Sequence, residues 1–159
     1  MEQKLIAATL IAGLCMSVAV AEPSGMGLGL IMGEPTGLTA KVWTSSHVAF
    51  DAAVGYSFWR NGQAIQVHGD MLWHTRSLIQ SADGFLPLYI GIGVRAKMAD
   101  EPDYPDLRVG IRIPFGLEYV FTRVPVGLFL ELVPIIDLSP ESDWGGNSAI
   151  GFRYYFGTH

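Results

Sequence analysis

A few residues of this chain have side chains that could carry out catalysis. His68 and Asp70 stand two residues apart, and His74 follows in the same alternating segment. In an extended strand His68 and Asp70 would share a face, about 7 Å apart, where the carboxylate could orient the imidazole as a general base. Ser57 and Ser148 are the candidate nucleophiles. The chemistry would be hydrolysis or transfer of an acyl group.

The spacing of these residues favours a structural role over catalysis. A nucleophile must lie within hydrogen-bond reach of its base, and no serine stands in a defined relation to either histidine. Metal ligands on alternate positions of one strand splay along it, so a metal site would need donors from neighbouring strands. We therefore predict a protein that is not an enzyme, with no catalytic, metal-binding or cofactor-binding residues. His68 and Asp70 are expected to belong to a hydrogen-bond network.

Alternation with a period of two is the pattern that positions these residues. Eight segments of the chain carry uncharged, mostly apolar residues on one parity, as strands with one apolar face do. They run over residues 26–32, 38–42, 48–58, 65–73, 88–98, 107–121, 126–132 and 150–156, with turn-forming residues at 34–37, 60–62, 100–106 and 139–146. The pattern predicts an all-β fold, an eight-stranded antiparallel up-and-down barrel.

The opposite face of the segments mixes glycine, alanine and serine with charges of both signs. That mixture suits a narrow, crowded lumen better than an open solvated surface. The predicted inward charges comprise six cations and four acids, close to the balance that buried charges need if each is to find a partner. With one histidine, the predicted lumen set is Lys41, Asp51, His68, Asp70, Arg95, Lys97, Arg108, Arg112, Glu118, Glu131 and Arg153.

The N-terminal residues predict export. Lys4 precedes an uncharged apolar run over residues 5–18, and Ala19-Val20-Ala21 is a small-x-small cleavage site. Residues 1–21 are therefore predicted to be a signal peptide and residues 22–159 the barrel domain. An uncleaved anchor is the alternative, although the run is short for a spanning helix. Cys15, the single cysteine, falls in the predicted signal, so no disulfide is expected.

Composition points to lipid as the surroundings of the apolar face. The chain is 50% hydrophobic and only 16% charged, whereas a soluble domain carries about 25% charged residues. Beyond the predicted signal, no run approaches the roughly 18 apolar residues of a spanning helix. Strands with one lipid-facing side explain both facts, and a soluble lipocalin-like barrel is the alternative. The net charge of −5 gives no support to a nucleic-acid partner.

Several local features complete the predicted barrel. Pro114 should cause only a local distortion, a bulge beyond Pro134 could shift the register, and the connection over residues 75–85 is long for a turn. Aromatic residues near segment ends predict interfacial girdles, namely Phe58, Trp59, Trp73, Tyr119, Phe121, Tyr154, Tyr155 and Phe156. Acids in the connections predicted to face outward suggest ordinary solvated loops or a rim sharing divalent cations with lipopolysaccharide: Glu34, Asp100, Glu101, Asp103, Asp106, Glu141 and Asp143.

Four motifs resemble a known family. They are GLIMGEPTGLTAKVW at residues 29–43, RIPFGL at 112–117, FLELVP at 129–134 and GFRYYF at 151–156. They are similar to segments of small, largely uncharacterised outer-membrane β-barrel proteins, and the similarity covers nearly the whole chain after residue 21. The resemblance implies an eight-stranded barrel of OmpA or OmpX type with no defined reaction. Phe156 is followed by three more residues, whereas a terminal aromatic usually ends such chains.

The expected function is a non-enzymatic role in the outer membrane of a bacterium, as an envelope-structural or surface-interaction protein. The expected partners are outer-membrane lipid and lipopolysaccharide, and the barrel-assembly machinery during biogenesis. The protein is expected to be a monomer. Two alternatives remain open: an outer-membrane hydrolase or acyltransferase that modifies lipid A, and a soluble periplasmic ligand-binding barrel.

Overall fold

The computed structural model describes residues 25–58, 64–75, 77–99 and 107–157. The predicted signal peptide, Trp59 and the acids between residues 100 and 106 lie outside these ranges. Eleven strands lie within the described ranges: β1 (Met26–Gly33), β2 (Thr36–Trp43), β3 (Val48–Ser57), β4 (Ala64–His74), β5 (Ile79–Gln80), β6 (Gly84–Leu86), β7 (Leu88–Ala99), β8 (Leu107–Arg112), β9 (Phe115–Phe121), β10 (Val126–Ser139) and β11 (Asp143–Phe156).

The strands close into one barrel. Strands β1 to β4 and then β7 pair in sequence order, every pair antiparallel, and β7 pairs with both β8 and β9. Strand β10 pairs with β8, β9 and β11, and β11 returns to pair with β1. Since β8 and β9 are two halves of one barrel strand, the result is the predicted eight-stranded antiparallel barrel.

The two prolines interrupt the sheet less than proline in a strand often does. Leu132 pairs with Phe115 on one side of Pro114, and Ile135 pairs with Arg112 on the other, which is one continuous register. The distortion at Pro114 is therefore local, as predicted. Strand β10 also continues through Pro134, which lies opposite Gly146, and its register against β8 shifts only between residues 137 and 139. Strands β10 and β11 are consequently longer than predicted.

The long connection over residues 75–85 is an extension of a hairpin. Thr75 N–H donates to Leu88 O, and β5 pairs with β6, so strands four and five of the barrel continue side by side beyond its end. Residues 81–83 form the turn between β5 and β6. Much of this connection is therefore paired backbone, which explains why it is longer than a turn.

Burial in this barrel is the reverse of that in a soluble protein. Thirty-two large hydrophobic side chains are exposed and fourteen hydrophobic residues are buried in the described part of the chain, while Arg112, Arg153 and Lys41 head the largest fully buried side chains. Along β10 the inward positions are buried and most of the outward ones exposed, in strict alternation over residues 127–135. No helix in the described residues is long and apolar enough to cross a membrane.

Candidate functional site

In the described residues, the interior of the barrel holds fourteen buried polar or charged side chains. Nine of the eleven residues predicted to line the lumen are among them. Lys97 is only half-buried, and the prediction for Arg108 is wrong, because its side chain is exposed although its parity is inward. The two lie opposite each other on β7 and β8, close to the strand ends at residues 99 and 107, where solvent reaches side chains of inward parity.

The buried charges form several connected clusters, the first of them around Glu118. Lys41 Nζ donates to Glu118 Oε2 at 2.5 Å, and the Tyr155 hydroxyl donates to Glu118 Oε1 at 2.5 Å. Lys41 Nζ also lies 2.9 Å from His74 Nε2 and 4.6 Å from the centroid of the Trp43 ring. The Lys41 ammonium is therefore paired with a carboxylate and lies against an aromatic face.

Arg153 joins this first cluster to Asp51. One of its nitrogens lies 2.9 Å from Asp51 Oδ2 and another lies 3.8 Å from Glu118 Oε1. Its guanidinium also donates to Thr39 Oγ1 at 2.9 and 3.2 Å, and it covers the Phe129 ring with 3.9 Å to the centroid. This single side chain thereby ties β11 to β2, β3 and β9.

Arg112 is the centre of another cluster. Its NH2 donates to Glu131 Oε1 at 2.7 Å, and its Nε lies 2.8 Å from Asp70 Oδ1. The Tyr89 hydroxyl donates to Glu131 Oε2 at 3.0 Å. The ion pair of Arg112 with Glu131 links β8 to β10 inside the lumen.

The pair of Arg95 and Asp137 was missed by the sequence analysis. Two Arg95 nitrogens donate to the Asp137 carboxylate at distances of 2.7 to 3.1 Å, and both residues are buried. Asp137 is absent from the predicted lumen set because a bulge beyond Pro134 could have shifted the register. Since β10 keeps its alternation through that proline, unbroken parity was the signal that could have placed Asp137 inside.

Glycines of the inward face provide the room for these carboxylates. A Cβ atom on Gly93, which is paired with Asp70, would lie 1.8 Å from Asp70 Oδ1. A Cβ on Gly110 would lie 2.5 Å from Asp137 Oδ1, and one on Gly127 would lie 2.6 Å from Glu118 Oε1. The mixture of glycine and charge on one strand face thus has a steric origin, as carboxylates occupy the space above glycine.

Adding a methyl group to Gly93 should therefore disturb the Asp70 carboxylate. We expect Gly93→Ala to destabilise the barrel by about 1–3 kcal/mol, because neighbouring backbone and side chain must both shift. Gly69→Ala is the matched control, since a Cβ on Gly69 meets only Asp51 O at 3.8 Å. Urea unfolding of the refolded protein measures both, and equal losses in the two variants would contradict this account.

His68 and Asp70 do come together with a third group. His68 Nε2 lies 3.9 Å from Asp70 Oδ2, and Asp51 lies directly opposite Asp70 across the pair of β3 and β4. All three residues are buried. His74, by contrast, belongs to the cluster around Lys41 and Glu118. The metal site considered from the sequence needed a donor on a neighbouring strand, and Asp51 is such a donor.

Among the described residues, neither proposed nucleophile, Ser57 or Ser148, is hydrogen-bonded to a buried histidine. Ser57 is buried and donates to the carboxylate of Glu34, which also accepts from the Phe58 N–H at 2.8 Å. The Ser46 hydroxyl does lie 2.8 Å from His47 Nδ1, but the two are sequence neighbours in an exposed turn. Among the described residues, therefore, no nucleophile, base and orienting acid are arranged in a row.

Comparison of the chain with family models, with curated proteins and with solved structures finds no match, so the resemblance seen in the four motifs stays a prediction.

Proposed function

We propose that this protein is an integral outer-membrane β-barrel with a structural or surface-interaction role in the bacterial envelope and no catalytic activity. The observation that carries the proposal is the reversed burial of the barrel, with apolar side chains outside and ion pairs inside. A soluble protein that exposed this much contiguous apolar surface would aggregate or bind a partner over most of its circumference. A bilayer accommodates the whole surface at once.

The outward face supports the proposal residue by residue. Within the described strands no residue of outward parity is charged, and the exposed side chains include Leu30, Ile92, Val94, Leu130 and Ile150 at 44–61% exposure. A charged residue there would cost about 2–4 kcal/mol at the bilayer midplane. Uniform absence of charge around the barrel is the condition that lipid imposes, while a solvated outer surface would carry lysine and glutamate.

Closure of the sheet supports the proposal in a second way. Inside hydrocarbon every backbone N–H and C=O must be paired, and a closed barrel meets this demand because it has no edge strand. Pairing of β11 with β1 over eight residue pairs completes the circle. Eight strands enclose a lumen only wide enough for side chains, and here ion pairs fill it, so we propose no role as a diffusion pore.

Exposed aromatic residues lie toward both ends of the strands. Trp73, Tyr154 and Phe156 are exposed at one end, and Phe58 and Trp144 at the other. We propose that they lie at the two lipid–water interfaces. Tyr155 had been assigned to the same girdle, but that assignment is wrong, since its side chain is buried and bonded to Glu118. The unbroken alternation of β11 turns it inward.

The proposal also includes the expectations about export, partners and oligomeric state that the sequence suggested. Export by the predicted signal peptide, contact with outer-membrane lipid and lipopolysaccharide, assembly by the barrel-assembly machinery and a monomeric state are all proposed. Glu34 does not contribute a free carboxylate to an acidic outer rim, because its carboxylate accepts hydrogen bonds from the Ser57 hydroxyl and the Phe58 N–H. No contact of the described residues favours the lipid-modifying enzyme or the soluble ligand-binding barrel.

Heat-modifiable gel mobility tests the proposal. In cells making the full chain, we expect the protein in the outer-membrane fraction, and a faster-migrating band without boiling that shifts on boiling, because detergent does not unfold a closed barrel. The mass of the purified protein should correspond to a chain starting at Glu22. A periplasmic protein with no heat-dependent shift would contradict the proposal and favour the soluble barrel.

A further inference from the structure

The buried charges of the barrel do not balance. Among the described residues, four buried cations (Lys41, Arg95, Arg112, Arg153) face five buried carboxylates (Asp51, Asp70, Glu118, Glu131, Asp137). The pair of Arg95 and Asp137 is neutral by itself, so the excess carboxylate belongs to the remaining clusters. An uncompensated buried charge is costly, because the barrel interior replaces water with few dipoles.

The excess is concentrated where Asp51 and Asp70 face each other. They are direct cross-strand partners on β3 and β4, an arrangement in which like charges destabilise a sheet. Arg153 approaches Asp51 and Arg112 approaches Asp70, each on one side. Asp51 Oδ1 and Asp70 Oδ2 nevertheless have no hydrogen-bond partner in the described part of the chain.

His68 completes a convergent group. It is 5% exposed, and its Nδ1 also has no hydrogen-bond partner in the described ranges. One nitrogen of His68 and one oxygen from each aspartate all lie within 4.8 Å of one another. An imidazole and two carboxylates from adjacent strands thus offer three possible ligand atoms close together, and each side chain has a polar atom without a hydrogen-bond partner in the described residues.

We propose that Asp51, His68 and Asp70 bind one divalent transition-metal ion, with zinc as the best-fitting member of that class. One imidazole nitrogen and two carboxylate oxygens form a ligand set that zinc accepts, whereas calcium takes six to eight oxygens. Tetrahedral zinc holds its ligand atoms about 3.3 Å apart at ordinary bond lengths. The three side chains would therefore move together by roughly an ångström, and the fourth position would take water.

The two arginines are compatible with a bound ion because each contacts one oxygen of its aspartate and leaves the other oxygen for the metal. Arg153 contacts Asp51 Oδ2 and leaves Oδ1, and Arg112 contacts Asp70 Oδ1 and leaves Oδ2. They also orient the carboxylates, as partners behind metal ligands commonly do. The inference rests on the lumen alone and does not depend on the membrane location proposed for the barrel.

Zinc content after refolding tests the site directly. The full chain is unfolded in urea, refolded into detergent micelles with either a chelator or ZnCl2, and freed of loose metal by desalting. We expect one zinc per wild-type chain by elemental analysis, and less than a tenth of that in His68→Gln and Asp70→Asn. His74→Gln is the matched control, because His74 is a buried histidine of the same strand outside the group, and it should keep one zinc.

A second measurement keeps the inference falsifiable if a variant does not refold. Co²⁺ added to the wild-type protein during refolding should give the intense visible absorption of a tetrahedral site, and Asp51→Asn should weaken it. Failure of the wild type to retain zinc would overturn the proposal and leave a proton shared by Asp51 and Asp70. Equal zinc in wild type, His68→Gln and Asp70→Asn would also overturn it, and so would retention of Ca²⁺ in place of Zn²⁺.

Discussion

Arginine in place of Leu130 should prevent the barrel from assembling in a membrane. Leu130 is 44% exposed on the outward face of β10, and its cross-strand partners are Leu117 and Ile150. In a bilayer that position faces hydrocarbon, so the guanidinium would cost about 2–4 kcal/mol. A domain of this size has only about 5–15 kcal/mol of stability. We expect little or no heat-modifiable protein in the outer-membrane fraction.

Leu78→Arg is the matched control for this substitution. Leu78 is 63% exposed, but it lies beyond the end of β4 in the hairpin extension, where a charge reaches water. Its replacement should cost about 0–1 kcal/mol, as at an interface, and leave assembly near the wild-type level. In a soluble barrel both substitutions would replace a solvent-exposed leucine and both would be tolerated. Wild-type yields of folded Leu130→Arg would therefore contradict the lipid-facing assignment.

The sequence was sufficient to predict the barrel because strand parity is a local property. Successive side chains on β3, from Ala49 to Ser57, point in turn to the lumen and to the exterior, and the residue types alternate in the same way along the sequence. Even Pro114 left that parity unchanged. A strand count of eight then follows from counting segments, and closure follows from the need to pair both edges.

The contacts inside the lumen could not be predicted in the same way, because they depend on register between strands. The convergence of Asp51 with His68 and Asp70 requires that Asp51 pair with Asp70, which parity alone does not fix. Arg108 shows a different limit of parity. Its parity is inward as predicted, but parity does not show that the residue lies near the open end of the barrel, where its side chain is exposed. The hairpin of β5 and β6 was missed because two-residue and three-residue strands are too short to show alternation.

Because of the buried acid excess, we expect the two partners in the ion pair of Arg112 with Glu131 to differ in their effect on stability when they are replaced. Arg112 forms ion pairs with both Glu131 and Asp70, with nitrogen–oxygen distances of 2.7 and 2.8 Å. Removing the arginine leaves two buried carboxylates without their cation and increases the acid excess. Removing the charge of Glu131 lowers that excess. A glutamine there can still accept from Arg112 through its carbonyl oxygen, while its amide N–H can only donate, to the oxygen of the Tyr89 hydroxyl.

We therefore expect Arg112→Met to destabilise the refolded barrel by at least the roughly 3–5 kcal/mol typical of a broken buried pair. Glu131→Gln should cost only about 1–3 kcal/mol, the range for an impaired buried hydrogen bond. The double variant should be more stable than Arg112→Met alone, because one of the two orphaned charges is then gone. Urea unfolding in detergent with a chelator present gives all four free energies and excludes compensation by bound metal. Equal losses of stability from the two single variants would show that the lumen carries no acid excess. A double variant whose loss is the sum of the two single losses would show that Arg112 does not neutralise Glu131.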